Sequence, residues 1–245
     1  MLDALTSGVE FVSLYLTKSF ISGDAFDEIS KSLKATGIDP VVLSDSLINA
    51  ACDTKTPQGV VAIIKTAEYK LEDILRPRHS QGAYDPFTQE PICRRRFVIL
   101  DGVSDPGNAG VIIRTAEAAG FSGLIMSDGC VDLYSPKTLR ASMGSAFRLP
   151  VVQNADLHSS IRMLKSFGVK IYATAAYAEK RYYELDLSSD FALVVGNEAF
   201  GIRQDVLELC DESMSIPMPG GAESLNVGVA AGIIIYESLR QLGSV

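Results

Sequence analysis

Uninterrupted apolar runs alternate with helical segments throughout residues 97–245, and this alternation most constrains the fold. The segments "RFVILD", "GLIMSD" and "FALVVGNE" carry such runs, whereas a strand with one face in water alternates apolar and polar residues. Stretches with helical periodicity, such as "NAGVIIRTAEAAG", separate them. Strands that are buried on both faces and joined through helices usually pair in parallel. The sequence therefore predicts an α/β fold with a mostly parallel sheet covered by helices on both faces.

A smaller α/β pattern precedes this region. The pattern predicts strands at residues 9–17 and in "PVVLSD", and a buried strand at residues 57–65. It also predicts a helix from Asp24 to Gly37 and a shorter helix in "LINAACD". Beyond it the periodicity is lost, and proline, glycine and charge accumulate, which is typical of a linker. The expected division is a small α/β domain at 1–75, a linker at 76–96 and an α/β domain at 97–245.

Composition excludes several classes of protein. With 47% hydrophobic residues in 245, the chain can bury a substantial core. Four cysteines lie far apart without a C-x-x-C pair, and there are two histidines, so neither a disulfide framework nor a metal site is expected. The apolar run at 227–235 is far shorter than the ~20 residues of a membrane span, and no signal peptide is recognisable. We therefore expect a cytoplasmic protein without a membrane partner.

The charge distribution leaves two interpretations open. A net charge of −8 argues mildly against nucleic-acid binding by bulk electrostatics. Basic residues are nevertheless enriched in the middle of the chain, at Arg76, Arg78, Arg94, Arg95, Arg96, Arg114, Lys137, Arg140 and Arg148. They could form an RNA-facing stripe or belong to a solvated linker.

Three polar loops follow predicted strands of the larger domain: "DGVSDPGNAG", "GNEAFG" and "PMPGGAESLN". Because the carboxyl ends of parallel strands meet at one edge of a sheet, we expect these loops to lie together there and to form a ligand site. Each also has a purely structural explanation. Arg114 could be a surface residue, and Glu198, Ser224 and Asn226 could cap helices.

The final helix is expected to approach another backbone closely. It is rich in small residues, and Gly220 and Gly221 precede it in a loop that also contains two prolines. The small residues in the helix are Gly228, Ala230, Ala231 and Gly232.

Three segments together resemble the three motifs of the SpoU branch of the SPOUT family, which are S-adenosylmethionine-dependent RNA ribose 2′-O-methyltransferases. The matching segments, in the family's order, are "NAGVIIRTAEAAG", "LVVGNEAFGI" and "SIPMPGGAESLNVGVAAGI". With "LRASMGSAFRLPV" the resemblance covers roughly residues 97–240. In the first domain, "TPQGVVAI" is similar to the ribosomal-protein-like RNA-binding domain of many members, but the leading strand of that domain is missing, so we expect a trimmed or shortened module.

This resemblance implies a deep trefoil knot, formed when the last strand and its helix thread through a preceding loop. Such a knot implies close backbone packing at Gly220, Gly221, Gly228, Ala230 and Gly232. It implies that S-adenosyl-L-methionine binds largely through main-chain groups at Thr174, Gly196, Ile216, Met218, Leu225 and Asn226. The matching functional set is Asn108, Arg114, Glu198, Ser224 and Asn226. Arg114 has the central role in the family. A guanidinium is a poor base at neutral pH, so we expect it to bind a phosphate and polarise the 2′-hydroxyl. Asn197 departs from the serine or alanine that relatives often carry.

The resemblance also implies partners and leaves alternatives. Family members are homodimers, and the separate first domain favours ribosomal RNA over transfer RNA as substrate. A transfer-RNA 2′-O-methyltransferase and a catalytically silent RNA-binding member of the fold remain alternatives. An ordinary nucleotide-binding α/β enzyme is a further rival, although the chain lacks the G-x-G-x-x-G fingerprint of a dinucleotide site.

Overall fold

A computed structural model describes residues 2–52, 54, 56–75 and 94–243. Most of the predicted linker, together with Arg76, Arg78 and Cys93, lies outside the described residues. The chain divides into two compact units, Met1–Ala67 and Glu68–Val245, and each is described here by itself.

The first unit is a three-stranded sheet with short helices. Its described elements are α1 (Leu2–Thr6), β1 (Phe11–Thr17), α2 (Lys18–Ile21), α3 (Asp24–Ala35), β2 (Val41–Leu43), α4 (Asp45–Ala51) and β3 (Val60–Ile64). The strand order is β2-β1-β3, with β1 parallel to β2 and antiparallel to β3. Every strand and helix predicted for this region is present, whereas α1 and α2 were not predicted because they are too short to carry a periodic pattern.

Only one face of this sheet packs on a core. Leu14 and Leu16 of β1 are buried against Ile29 and Leu33 of α3. The prediction that β3 is a buried strand was wrong, since Ile63 on its other face is 50% exposed.

The second unit is built on a seven-stranded sheet. Its described elements are α5 (Leu71–Leu75), β4 (Arg96–Asp101), α6 (Pro106–Ala118), β5 (Gly123–Ser127), α7 (Pro136–Ser142), β6 (Val151–Ala155), α8 (Leu157–Ser166), β7 (Lys170–Thr174), β8 (Lys180–Arg181), β9 (Phe191–Gly196), α9 (Gln204–Leu207), β10 (Glu212–Ser215) and α10 (Val227–Gln241), with 3-10 turns at Ser145–Phe147 and Tyr182–Glu184. The order is β6-β5-β4-β9-β7-β10-β8, and every described pairing is parallel. The predicted α/β fold with a mostly parallel sheet is confirmed.

The side chains of successive residues of β4 pack in two separate hydrophobic cores, one on each face of the sheet. Val98 and Leu100 pack in the core that includes residues of α6 and α10, whereas Phe97 and Ile99 pack in the core that includes α5 and α8. All four are fully buried. This is the arrangement that an uninterrupted apolar run predicts, because side chains alternate across a strand.

Helix α5 belongs to the second unit, although residues 71–75 were assigned to the first domain. Leu71, Ile74 and Leu75 are buried in the same core as Phe97 and Ile99. The contacts therefore divide the chain before residue 68 rather than after residue 75.

Close backbone packing occurs at Gly228, as expected, and at Gly110, which was not expected, but not at Gly220 or Gly221. A Cβ on Gly220 or Gly221 would meet no atom within 4 Å, and neither residue has a left-handed φ, so the close packing predicted there was wrong. A Cβ on Gly110 in α6, in contrast, would lie 2.4 Å from the Cβ of Ala141 in α7. In α10, a Cβ on Gly228 would lie 3.3 Å from a side-chain carbon of α6. Helix α6 is therefore held tightly between α7 and α10.

The described residues have neither a membrane-spanning helix nor a cluster of metal ligands. No helix there is long and apolar enough to cross a membrane. No group of three or more His, Cys, Asp or Glu side chains among these residues could hold a metal ion.

Candidate active site

Two of the predicted loops leave neighbouring strands at the same level of the sheet. Asp101 at the end of β4 pairs with Gly196 at the end of β9. The loop after Asp101 leads into α6, where the side chain of Asp105 accepts a hydrogen bond from Asn108 N at 2.9 Å and caps the helix. The expected meeting of polar loops at the carboxyl edge is thus realised for these two.

Glu198 ties the second loop to the first. Its Oε2 accepts hydrogen bonds from Ser104 N at 3.3 Å and Ser104 Oγ at 3.2 Å, and its Oε1 accepts from Asp105 N at 3.2 Å and Asn108 Nδ2 at 2.9 Å. Glu198 does not cap the helix that follows it, because α9 begins only at Gln204. Partial burial opposes ionisation, but these hydrogen bonds outweigh it and lower the pKa of Glu198. The side chain is therefore an ionised acceptor at neutral pH.

Asn108 connects this carboxylate to the third loop. Its Oδ1 accepts a hydrogen bond from Asn226 Nδ2 at 2.8 Å. The Oδ1 of Asn226 in turn accepts from Gly228 N at 2.9 Å and Val229 N at 3.2 Å, so Asn226 also caps α10. We call the chain of side chains Glu198, Asn108 and Asn226 the amide relay. It joins loops that are about 90 to 120 residues apart in sequence.

The other two residues of the predicted functional set do not join the relay. Arg114 and Ser224 are exposed, and within the described part of the chain neither side chain makes a hydrogen bond or ion pair. Arg114 lies six residues after Asn108 on α6, which places it about 9 Å further along the axis and on a different side of the helix. The guanidinium is consequently open to a partner outside the chain.

The residues predicted to bind the methyl donor include three that lie where β7, β9 and β10 end. Thr174 and Gly196 are the last residues of β7 and β9, and the half-buried Ile216 directly follows β10. A Cβ on Gly196 would lie 2.2 Å from the carbonyl carbon of Gly201, so only glycine fits there. Thr174 Oγ1 already donates to the carbonyl oxygen of Val194 at 3.1 Å. The hydroxyl hydrogen of Thr174 is therefore already used within the chain, and its oxygen can still accept a hydrogen bond.

The loop after β10 has free main-chain groups. For residues 217–225, the structure has no backbone hydrogen bond to any other described residue. Backbone groups of folded proteins are nearly always paired with protein, water or ligand. Met218 is half-buried in this loop, and Leu225 is 37% exposed. Free donors and acceptors beside apolar side chains fit a ligand such as S-adenosylmethionine, which has an adenine ring, hydroxyls and an amino-acid group.

The sequence did not reveal the contacts that Asn197 and Asp101 make at the carboxyl edge of the sheet. Asn197 donates from Nδ2 to the carbonyl oxygen of Gly102 at 2.8 Å and thereby joins the first two loops. Asp101, whose side chain is 1% exposed, accepts from both the backbone N and the Nε of Arg203 at 2.8 Å. The available signal was an acid directly after the apolar run of β4, where a buried charge requires a partner.

Several of the basic residues that could form an RNA-facing stripe are buried or paired with acids. Arg96 is fully buried, with its guanidinium 5.1 Å from the ring centroid of Phe121, and burial lowers the pKa of Arg96 to about 10. Arg95 pairs with Asp190 at 2.8 Å. Two further members pair with acids of the same unit: Lys137 with Asp105 at 3.3 Å and Arg148 with Glu117 at 3.0 Å.

Both units match known families. Residues 95–236 match the SpoU rRNA Methylase family, and residues 1–70 match the RNA 2′-O ribose methyltransferase substrate-binding family.

Individual relatives match over most of the chain. A 23S rRNA (guanosine-2′-O-)-methyltransferase RlmB from Xylella fastidiosa is 44% identical, over 98% of this chain and 93% of its own. The 23S rRNA (guanosine(2553)-2′-O)-methyltransferase RlmP from Bacillus subtilis is 39% identical, over 82% of this chain and 73% of its own. Among solved structures, the AdoMet-bound rRNA methyltransferase from Sinorhizobium meliloti superimposes with a TM-score of 0.79 at 31% identity, over 98% of this chain and 84% of that chain. With a parallel sheet of the same fold and a family match across more than half of its length, the chain belongs to the SpoU rRNA methylase family.

Proposed function

We propose that this protein transfers a methyl group from S-adenosyl-L-methionine to a ribose 2′-hydroxyl of ribosomal RNA in the cytoplasm. The observation that carries the proposal is the amide relay, which joins three loops at one edge of the sheet beside the unpaired backbone of residues 217–225. Relatives that cover most of the chain are named as 23S rRNA methyltransferases, and both names contain guanosine. A guanosine ribose is therefore the first substrate to test.

The donor supplies an electrophilic methyl carbon, and the chain's own residues bind and orient the reactants. The main chain of residues 217–225 binds the donor, with Gly196 leaving room for the backbone behind it. The amide relay holds the loops in one arrangement, so the reactants need little reorganisation before transfer. Glu198 is not the general base in this proposal, because its oxygens already accept four hydrogen bonds and its pKa is lowered.

Arg114 is proposed to bind the phosphate next to the target ribose. It is exposed on α6 and makes no ion pair within the described chain. A guanidinium cannot give up its proton near neutral pH, so it acts as a fixed positive charge with planar donors. It lowers the pKa of the 2′-hydroxyl electrostatically, and the proton leaves to water.

Single-turnover methylation of unmodified 23S rRNA tests this role. We expect Arg114→Ala to lower the rate about a hundredfold or more while donor affinity stays unchanged, because removal of a preorganised charge has effects of this size. Arg114→Lys should restore little of the rate, since it lacks the two-pronged geometry. Arg162→Ala is the matched control, because Arg162 is likewise exposed but lies on α8, on the other side of the sheet. Near-normal methylation by Arg114→Ala would refute the proposal, and no methylation by the wild type would favour a silent RNA-binding protein.

We also propose a homodimer and a trefoil-knotted backbone, as the family resemblance implies. An exposed apolar set on α6 and α10 supports the dimer: Val111 is 44% exposed, Val229 is 52% and Tyr236 is 46%. The knot is proposed from the family resemblance.

A further inference from the structure

Two aromatic rings are almost completely exposed at the carboxyl edge of the second unit's sheet. Tyr177 is 93% exposed and Phe200 is 91% exposed, whereas the next large apolar side chain among the described residues, Met143, is 60% exposed. They lie on the loops that leave β7 and β9, which are neighbours in the sheet. This edge also carries the amide relay.

Phe200 is presented by a closed, rigid turn. Asn197 and Gly201 exchange two backbone hydrogen bonds, of 3.0 and 2.8 Å, and Gly201 has a φ of +73°. The Oδ1 of Asn197 accepts from Ala199 N at 2.9 Å and from Phe200 N at 3.2 Å. Asn197, the residue that departs from the family pattern, therefore fixes the backbone under the exposed ring. Glu198 lies in the same turn, two residues before Phe200.

Tyr177 is also held on an anchored turn. Ala178 N donates to the carbonyl oxygen of Ala175 at 3.2 Å, and the carbonyl oxygen of Ala178 accepts from Ser215 Oγ at 2.9 Å. Ala175 N donates to Met214 O at 2.9 Å, so both ends of the turn are tied to β10. The ring projects from it without burying surface in this chain.

We propose that Phe200 and Tyr177 stack on unpaired nucleobases of the RNA substrate next to the methylated nucleotide. This inference rests on the proposed function and identifies how RNA is held at that site. Flat apolar rings on preorganised turns match the faces of unstacked bases, and stacking tolerates any base. It needs no positive charge, which suits a chain of net charge −8 whose basic residues are partly paired or buried. Docking of a second copy is less favoured, because the apolar set proposed for that contact lies on α6 and α10.

The test measures RNA affinity and stacking separately. The probes are an unmodified Bacillus subtilis 23S rRNA transcript, followed by filter binding, and a 12-nucleotide single strand with a central 2-aminopurine, whose fluorescence is quenched by stacking. We expect Phe200→Ala and Tyr177→Ala each to weaken binding by about 5-fold to 150-fold and to lose quenching. Phe200→Trp should retain both, whereas Phe200→Leu, which keeps an apolar side chain, should not. The slope of log Kd against log salt should stay unchanged, since no phosphate contact is removed.

Phe167→Ala is the matched control. Phe167 is 48% exposed but follows α8 at the opposite edge of the sheet, just before β7 begins. The Phe167→Ala variant should bind both probes like the wild type, and every variant should bind S-adenosylhomocysteine with the same affinity. Unchanged affinity in the Tyr177 and Phe200 alanine variants, full affinity in Phe200→Leu, or a wild type that binds neither probe would overturn the proposal. So would a loss of dimer mass in light scattering of Phe200→Ala, which would assign the ring to a second copy. Failure of the wild type to bind the donor or to methylate 23S rRNA would instead count against the proposed function.

Discussion

Asn108→Asp replaces one atom of the amide relay and should separate its electrostatics from its shape. Asn108 Nδ2 donates to Glu198 Oε1 at 2.9 Å, so the substitution puts a carboxylate oxygen where the donor was. A hydrogen bond to a charged group is lost, which is worth about 1.5–3 kcal/mol. Repulsion between two like charges about 4 Å apart destabilises the folded state further, by between about 1 kcal/mol in water and about 4 kcal/mol near a protein surface. Because Glu198 is exposed, the lower parts of both ranges apply, and we expect the free energy of unfolding to fall by about 2–3 kcal/mol in total.

The loss should depend on pH with a defined sign. In the wild type, hydrogen bonds lower the pKa of Glu198, so its contribution is present above the ordinary value of about 4.3 and disappears only as the pH falls below it. In the variant, repulsion raises the pKa of one carboxyl of the pair. Its penalty is therefore complete above that raised pKa and is relieved as the pH falls through it.

Calorimetric unfolding at pH 8 and pH 5 measures both effects. For a unit of this size we expect the transition to fall on the order of 5–10 °C at pH 8 and by clearly less at pH 5. Gln204→Glu is the matched control, because Gln204 Nε2 donates to Glu208 Oε1 at 3.1 Å, both side chains are exposed, and the substitution creates the same kind of pair. That control should cost only about 0.2–0.5 kcal/mol. Equal losses at the two pH values, or a loss no larger than in the control, would refute the reasoning.

Three further predictions concern packing and assembly. Gly196→Ala should lower the free energy of unfolding of the second unit by about 3 kcal/mol or more, because the added Cβ would lie 2.2 Å from backbone atoms. Gly220→Ala is the control: its Cβ would have no atom within 4 Å, so thermal unfolding should show a change in that free energy of less than about 0.5 kcal/mol. Residues 68–245 alone should bind S-adenosylhomocysteine in calorimetry like the full chain but lose most RNA affinity; loss of donor binding would contradict the division. Light scattering should give twice 26.3 kDa, and Val229→Ser with Tyr236→Ser should give monomers with reduced activity; a fully active wild-type monomer would exclude the dimer.

The strands of the larger domain could be predicted because their burial is determined locally. A short apolar run such as that of β9, bounded by turn residues, favours a strand buried on both faces, and parallel pairing then brings the polar loops to one edge. The partners within that edge could not be predicted. Asn226 looked like a cap and is one, but its second bond, to Asn108, depends on how two distant loops are placed. Glu198 looked like a cap and is not.

Residues whose role depends on long-range packing were misjudged for the same reason. Arg96 looked like part of an exposed basic run, yet it begins β4, an interior strand of the sheet, and its side chain is fully buried. Gly220 and Gly221 looked like sites of close approach because glycine permits it, but permission alone does not bring another chain segment near. The close contact at Gly110 depends on α7, which no local pattern around α6 could reveal.

The strand order has a consequence for synthesis on the ribosome. Strand β9 lies between β4 and β7 in the finished sheet, and its first residue, Phe191, is made 95 residues after its partner Arg96. At about 5–20 residues per second, one edge of β4 stays unpaired for roughly 5–20 seconds after it is made. During that time the nascent chain exposes the unpaired backbone edge of a strand whose residues 97–100 are all apolar, the kind of surface that pairs with other chains. Early aggregation during slow translation, and its suppression by chaperones that bind apolar strands, should therefore depend on how quickly residues 191–196 leave the ribosome.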